Sequence, residues 1–531
     1  MRSPCIIGFC SPAQPRPAVQ PQPPPSTMPP RISTLHLPRR PVQLRDLRIL
    51  PRRLQSTKAP SSAAPTAPKA QVNLKAIRSN PSYHAQNCIN RNYAAYSEYP
   101  DRIACLHHDL VTMQQALRGD RERANDLLAQ IRRAESKEHK AELVAQSQQL
   151  KMKLSAAEEK EHEIEHEMAR LAAVLPNATS RLTPIGAEPK VLEYLNPHLA
   201  PGKDGAKPEK EYKSHVQIGS ELKLLDFSDA GAVSGHGWYY LLNEAVLLEQ
   251  ALINYALFLA VKKGWTMAST PSMVWTHMAS ACGFQPRDQS GEQQIYTTND
   301  GRHALAGTAE IPLAGINANK TILASSLPQK IVGVGRSFRA EAGAYGLDAK
   351  GLYRVHEFTK VELFSWAPSP AETEARLAEE GGELANPVFD PMLDPADLVF
   401  AEMLELQKTF LTSLGLYARV LEMPSHDLGA SAARKIDIEA WMPGRAAKDP
   451  WGEVTSLSNC TDYQTRRLNT RMKMNNGKTS FPYTLNGTAC AVPRVLLAIL
   501  ENGWDEERRG VVIPEVLRPY LGGMDFIGKK K

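Results

Sequence analysis

At 531 residues the chain is long enough for more than one domain, and 42% apolar residues allow a sizeable core. The formal net charge of +6 is concentrated at one end: residues 1–60 hold nine Arg, one Lys and one acid, leaving the remainder at −3. That excludes a body that is basic throughout, so any grip on nucleic acid must be local. No run of 18 uncharged apolar residues exists. The best candidate, 241–262, is interrupted by Asn243, Glu244, Glu249, Gln250 and Asn254, which reads as a soluble protein with no membrane span. The seven cysteines are scattered without zinc spacing, so no zinc is expected and buried free thiols in a reducing compartment are.

Residues 1–70 contain 16 of the 40 prolines, are Arg-rich and acid-poor, and lack an apolar secretory core. This composition suits a mitochondrial transit peptide, or a basic tail that stays attached. A globular pattern begins near Val72.

Residues 101–175 predict two long helices. Ile103, Leu106, Leu110, Met113 and Leu117 step by 3 and 4, as do Ile164, Met168, Leu171 and Leu175. That is a narrow heptad seam, and the polar run 135–142 is read as the turn. Residues 118–153 hold nine Lys/Arg against six acids, whereas 158–167 hold six Glu and one Lys. One apolar stripe suits a projecting hairpin whose basic outer part grips phosphates. From periodicity alone a dimerising coiled coil is the better reading of the two.

A Pro/Gly-punctuated linker spans 181–214. Residues 238–262 predict an amphipathic helix, and TMASTPSMVW after it a strand carrying Pro271. In GTAEIPL, 307–313, Thr308 and Glu310 share strand parity, and Glu310 can pair with an ammonium group.

Residues 335–364, GRSFRAEAGAYGLDAKGLYRVHEFTKVELF, read as two strands around a Gly/Ala-rich loop. Arg339 and Glu341 share one parity; so do His356, Phe358, Lys360 and Glu362, with Val361 and Leu363 opposite. Such a hairpin can offer a planar fork for phosphate, a flat face for a purine and a carboxylate for an exocyclic amine, or it can be a solvated hairpin with ion pairs. Residues 368–392 are acidic and read as a surface insertion. In EVTS, Glu453 and Thr455 share one parity, Val454 and Ser456 the other, and a carboxylate there can ligate magnesium. In LNGTACAVPRVLLAILEN, 485–502, a strand runs into a buried helix with Pro493 in its first turn and Arg494 next. There is no GxxxxGK(S/T), and Gly333-x-Gly335 lacks a dinucleotide context.

TAE, FRxEAG…KVE, EVTS and NGT…R occur in this order, and together they resemble the class II aminoacyl-tRNA synthetases in the form of seryl-tRNA synthetases, over about 72–525. The family more usually has Ser where Thr455 stands. The resemblance implies an α+β fold: an antiparallel sheet flanked by helices in a catalytic domain at 215–531, preceded by a tRNA-binding domain at 71–180 with a long antiparallel coiled-coil arm. It implies ATP, L-serine and tRNA(Ser) as partners, Mg2+ with the ATP, a homodimer and, with the leader, the mitochondrial matrix. By the same resemblance Arg339, Glu341 and Arg494 are catalytic. ATP meets Arg339, Glu341, Val355, Phe358, Glu453, Val454, Thr455, Ser456 and Arg494, with Glu453 and Ser456 at the metal. Serine meets Thr308, Glu310, Glu362 and Thr488. A non-catalytic synthetase-like binding protein, or an enzyme charging a carrier protein, are the competing readings.

Overall fold

The computed structural model describes residues 67–201, 212–285, 293–341, 351–370, 395–445 and 449–529. The expected transit peptide, apart from residues 67–70, and most of the acidic insertion lie outside the described residues, as does 202–211 of the linker.

Two short helices, Leu74–Ser79 and Pro81–Asn90, lead into a helical hairpin of α1 (Tyr99–Ala116), α2 (Arg118–Arg133) and α3 (Lys137–Ala173). At 1.5 Å per residue α3 is about 55 Å long. Its buried seam runs through Ile103, Leu110, Leu117 and Leu127 on one side and Leu143, Met168 and Leu171 on the other. Arg121 bridges to Glu161 at 2.8 Å, and Lys153 to Asp120, across the pair. The turn is shorter than expected and lies at 134–136. Ser136 caps α3 by accepting the His139 N–H, so most of the polar run is exposed helix rather than loop.

The hairpin base is clamped to the rest of the chain. The fully buried Arg91 donates to the Asn177 carbonyl at 2.8 Å and to the Gly429 carbonyl. Asn177 Nδ2 in turn reaches the carbonyls of Ser431 and Cys460.

The second part is built on an eight-stranded sheet. Its strands are β1 (Lys190–Leu195), β2 (Thr266–Ser269), β3 (Gln329–Phe338), β4 (Glu357–Ala367), β5 (Ala418–Glu422), β6 (Arg434–Trp441), β7 (Trp451–Asn459) and β8 (Tyr483–Ala491). The spatial order is β1-β5-β6-β7-β8-β4-β3-β2, antiparallel except for β2 with β3. Helices α4 (His215–Glu221), α5 (Glu244–Lys262), α6 (Glu310–Gly315), α7 (Pro395–Ser413) and α8 (Val492–Asn502) complete the frame.

Alternation along β4 divides its two faces. Val361 and Leu363 enter the main core with Leu248 and Leu252 of α5, Phe410 of α7 and Leu496 of α8. Phe364 and Trp366 face a smaller core with Ile311 and Leu313 of α6. Helix α5 is long and apolar enough to cross a membrane by length and composition, but half of that stretch is buried in the protein.

Two expected boundaries move. Helix α5 starts at Glu244 rather than 238, because Asn243 has φ +51° and Tyr240–Leu241 pairs with Leu225–Asp226 instead. The strand expected through Pro271 is two strands, β2 and Met273–Trp275. Proline has no N–H to continue the ladder, and the chain turns there to pair with His303–Leu305.

Candidate active site

The cleft lies where β7 and β8 part. They pair only from Leu457↔Gly487 to Asn459↔Leu485. Just beyond, the buried Gln407 of α7 donates to the carbonyls of Ser456 and Thr488 at 2.8 and 2.9 Å, satisfying backbone groups the ladder has released. The cleft is lined by Arg339, Glu341, Tyr353, Val355, Phe358, Lys360, Glu453, Val454, Ser456, Thr488 and Arg494, among others.

Two bulges shape it. In β7, Ile438 pairs with Thr455 but Glu439 with Glu453, so Val454 is an extra residue. The strand parity expected for this stretch is therefore wrong. The bulge brings Glu453 and Ser456 to one face and leaves Thr455 buried outside the lining, its hydroxyl without a protein partner. In β8 the second bulge follows Thr488, which pairs with Glu362 across to β4.

The shared strand parity of Arg339 and Glu341 also fails, because β3 ends at Phe338. Arg339 is held by its N–H, which donates to the His356 carbonyl at 2.9 Å, and by its Nε, which donates to the Gly307 carbonyl at 3.3 Å. Its guanidinium stands 5.3 Å from the Phe358 ring centroid. Glu341 sits at φ +47° and accepts from Arg354 at 3.3 Å. His356 precedes β4 and packs near Trp238 and Tyr296 rather than joining the lining.

Thr308 and Glu310 do not lie on a strand. Glu310 opens α6, and Pro312 is tolerated in that first turn, where N–H groups have no helical partner. Both residues are buried, as is Glu362, and none of the three lines the cleft. Glu310 accepts from Gln464 at 2.6 Å, and Lys360 Nζ lies 2.6 Å from Glu362 Oε2. Burial first, and the neighbouring Glu362 second, push the Glu310 carboxyl up to about 8 against the pull of Lys360 and Gln464.

Arg494, at the start of α8, donates from Nε to the Tyr353 carbonyl at 3.1 Å and from Nη1 to the Glu453 carbonyl at 3.0 Å; the Glu453 carboxylate is 3.2 Å away. Burial would raise the Glu453 carboxyl, but Arg494, Lys435 and Arg339 outweigh it and keep the group ionised. Tyr353, Arg354, Lys360, Gln407 and Gln464 are further residues at or beside the site, beyond those the sequence motifs mark. Lys360 alone had a visible signal, its parity with Phe358 and Glu362.

Residues 72–179 match the profile described as the seryl-tRNA synthetase N-terminal domain, and 294–393 with 388–503 the tRNA synthetase class II core domain (G, H, P, S and T). A mitochondrial serine–tRNA ligase of Saccharomyces cerevisiae is 42% identical over 75% of this chain and 82% of its own length. That of Schizosaccharomyces pombe is 36% identical over 85% and 88%. The chain belongs to the seryl-tRNA synthetase family. The seryl-tRNA synthetase of Pyrococcus horikoshii, solved as a complex with ATP, superposes with a TM-score of 0.74 at 31% identity, over 87% of this chain and all of its own.

As a seryl-tRNA synthetase the chain is a serine–tRNA ligase, and its mainly antiparallel sheet flanked by helices is the class II core. The Glu453 carboxylate and Ser456 hydroxyl are hard oxygen donors on one face of the cleft. Among the described residues no group of three His, Cys, Asp or Glu could hold a metal alone. Two oxygen donors suit Mg2+, which keeps waters and takes other ligands from substrate phosphates.

Proposed function

We propose that this chain activates serine with ATP and transfers the seryl group to the 3′ end of tRNA(Ser), in mitochondria. The observation that carries the first step is the meeting of Arg339, Glu341, Phe358, Glu453 and Arg494 around one cleft, from four separate places in the chain. Arg339 holds the α-phosphate, Phe358 stacks on the adenine, Glu341 accepts from its amine, and Val355 and Val454 shape the nucleotide's surroundings. Arg494 takes the γ-phosphate. Glu453 and Ser456 hold Mg2+, which when bound neutralises phosphate charge.

Thr308 and Glu310 receive the serine ammonium, and Glu362 and Thr488 its hydroxyl. A serine carboxylate oxygen attacks the α-phosphorus. The bond to the bridging oxygen breaks and pyrophosphate leaves with the electron pair. The chain's work is positioning and charge stabilisation, which needs no protein nucleophile. The 3′-terminal ribose hydroxyl then attacks the seryl carbonyl and AMP departs.

The helical arm supports a tRNA partner, held by shape and backbone contacts at its basic outer part. The mitochondrial names of the two fungal relatives and the Arg-rich leader support the location, with the matrix as the site of translation. A homodimer, the catalytic domain at 215–531 and the tRNA-binding domain at 71–180 belong to the same reading.

Serine-dependent ATP–pyrophosphate exchange, with alanine and threonine as controls, tests it. Exchange with serine alone is expected. A folded protein without exchange, with or without tRNA, would turn the reading to a non-catalytic RNA-binding protein.

A further inference from the structure

A buried histidine outside the cleft is bonded to two separate parts of the chain that frame it, and its carboxylate partner to a third. His215, the first residue of α4, and Glu501, near the end of α8, are both sealed from solvent. Glu501 Oε1 accepts the His215 backbone N–H at 3.0 Å and lies 2.8 Å from His215 Nδ1. The other ring nitrogen, Nε2, accepts the Leu352 N–H at 3.1 Å. An acceptor at Nε2 places the ring proton on Nδ1, pointing at Glu501. Glu501 Oε2 accepts the Gly444 N–H at 2.8 Å.

Each of these backbone anchors adjoins a residue stacked at the ATP end of the cleft. Leu352 precedes Tyr353, whose carbonyl accepts from Arg494, whose hydroxyl accepts the Glu453 N–H at 3.2 Å, and whose ring centroid lies 4.6 Å from the Arg494 guanidinium. Gly444 precedes Arg445, whose guanidinium is 3.6 Å from the centroid of the same ring. Arg494 and Glu501 are seven residues, two turns, apart on α8, so they share a helix face. The packing around the pair leaves no slack. A Cβ at Gly351, which sits at φ +74°, would strike the His215 ring, and one at Gly444 would strike the Glu501 carboxylate.

We infer that His215, oriented by Glu501, is a positioning residue for the ATP end of the active site: it sets the Tyr353 backbone and through it the Arg494 guanidinium. The inference rests on the reading of Arg494 as the γ-phosphate ligand. It assigns His215 no contact with substrate and gives the serine subsite no part in its effect.

Two near-isosteric variants of the full chain separate the ring's two bonds. His215→Asn keeps a donor near the Nδ1 position and loses the acceptor for Leu352. His215→Gln places an amide oxygen near Nε2, where it can accept that N–H. Pyrophosphate exchange should show KM for ATP raised about tenfold in H215N, the scale of one lost hydrogen bond to a buried group. KM for serine should be unchanged, and H215Q should recover most of the loss. An unchanged KM for ATP in H215N overturns the inference, as does a uniform loss of all kinetic parameters that follows only the fraction of folded enzyme. If H215N does not fold, E501Q decides by the same split: a selective rise in KM for ATP supports the inference, and none overturns it. Absence of exchange in the unmutated protein would instead overturn the underlying assignment of the site.

Discussion

Lys360 and Glu362, two residues apart on β4, form an ion pair 2.6 Å long that is almost wholly buried. Because side chains alternate along a strand, both face the cleft side of the sheet, beside Glu310. Lys360 is thus the cation that lets two buried carboxylates lie near one another.

Lys360→Met should therefore destabilise the protein by about 3 kcal/mol, the scale of a buried charge left unpaired. The double variant Lys360→Met/Glu362→Gln should recover most of that loss. Urea unfolding checks both, and equal midpoints for the single and double variants would show that the pair is not coupled.

Arg339→Ala should lower serine-dependent pyrophosphate exchange at least about a hundredfold, as expected for removal of a preorganised donor to developing charge. Among the described residues the side chain hydrogen-bonds only the Gly307 carbonyl, so the melting temperature should change little. Near-normal exchange in this variant would refute its phosphate role.

The Glu310 carboxyl, raised to about 8, sets a pH dependence. Between its ordinary value of 4.5 and about 8 the folded state keeps a proton that the unfolded chain has lost. Bound protons in the folded state then exceed those in the unfolded state, so this group's contribution to stability falls as pH rises through that window. A serine ammonium favours the ionised form. Serine binding should therefore release a proton near neutrality and tighten as pH rises from about 6 to about 8. Calorimetry in buffers of different ionisation enthalpy measures the released proton, and Glu310→Gln should abolish it. Binding of serine with no proton release would place its ammonium elsewhere.

Deleting residues 125–150 removes the hairpin tip but leaves the Arg91–Asn177 clamp at its base intact. Serine activation should persist while tRNA charging falls at least about tenfold, with a weaker dependence on salt because phosphate contacts are lost. Unimpaired charging would make the arm a structural element.

Sequence by itself determined the helical hairpin, the buried helices and the identity of most cleft-lining residues, because heptad spacing, apolar runs and motif strings are local properties of the chain. Arg339, Phe358 and Arg494 were legible in this way. What only the tertiary structure decided is how those strings are bent and what they meet. Thr455 and Ser456 exchange faces because of a single extra residue at Val454, and strand parity assumes none. Glu341 leaves the strand in a left-handed conformation that nothing in FRAEAG marks. Gln407 and Gln464 look like ordinary helix polars until their distant partners arrive. The His215–Glu501 contact joins positions 286 residues apart. Such pairings are set by the packing of α4 and α8 around the sheet, and no periodicity along the chain encodes them.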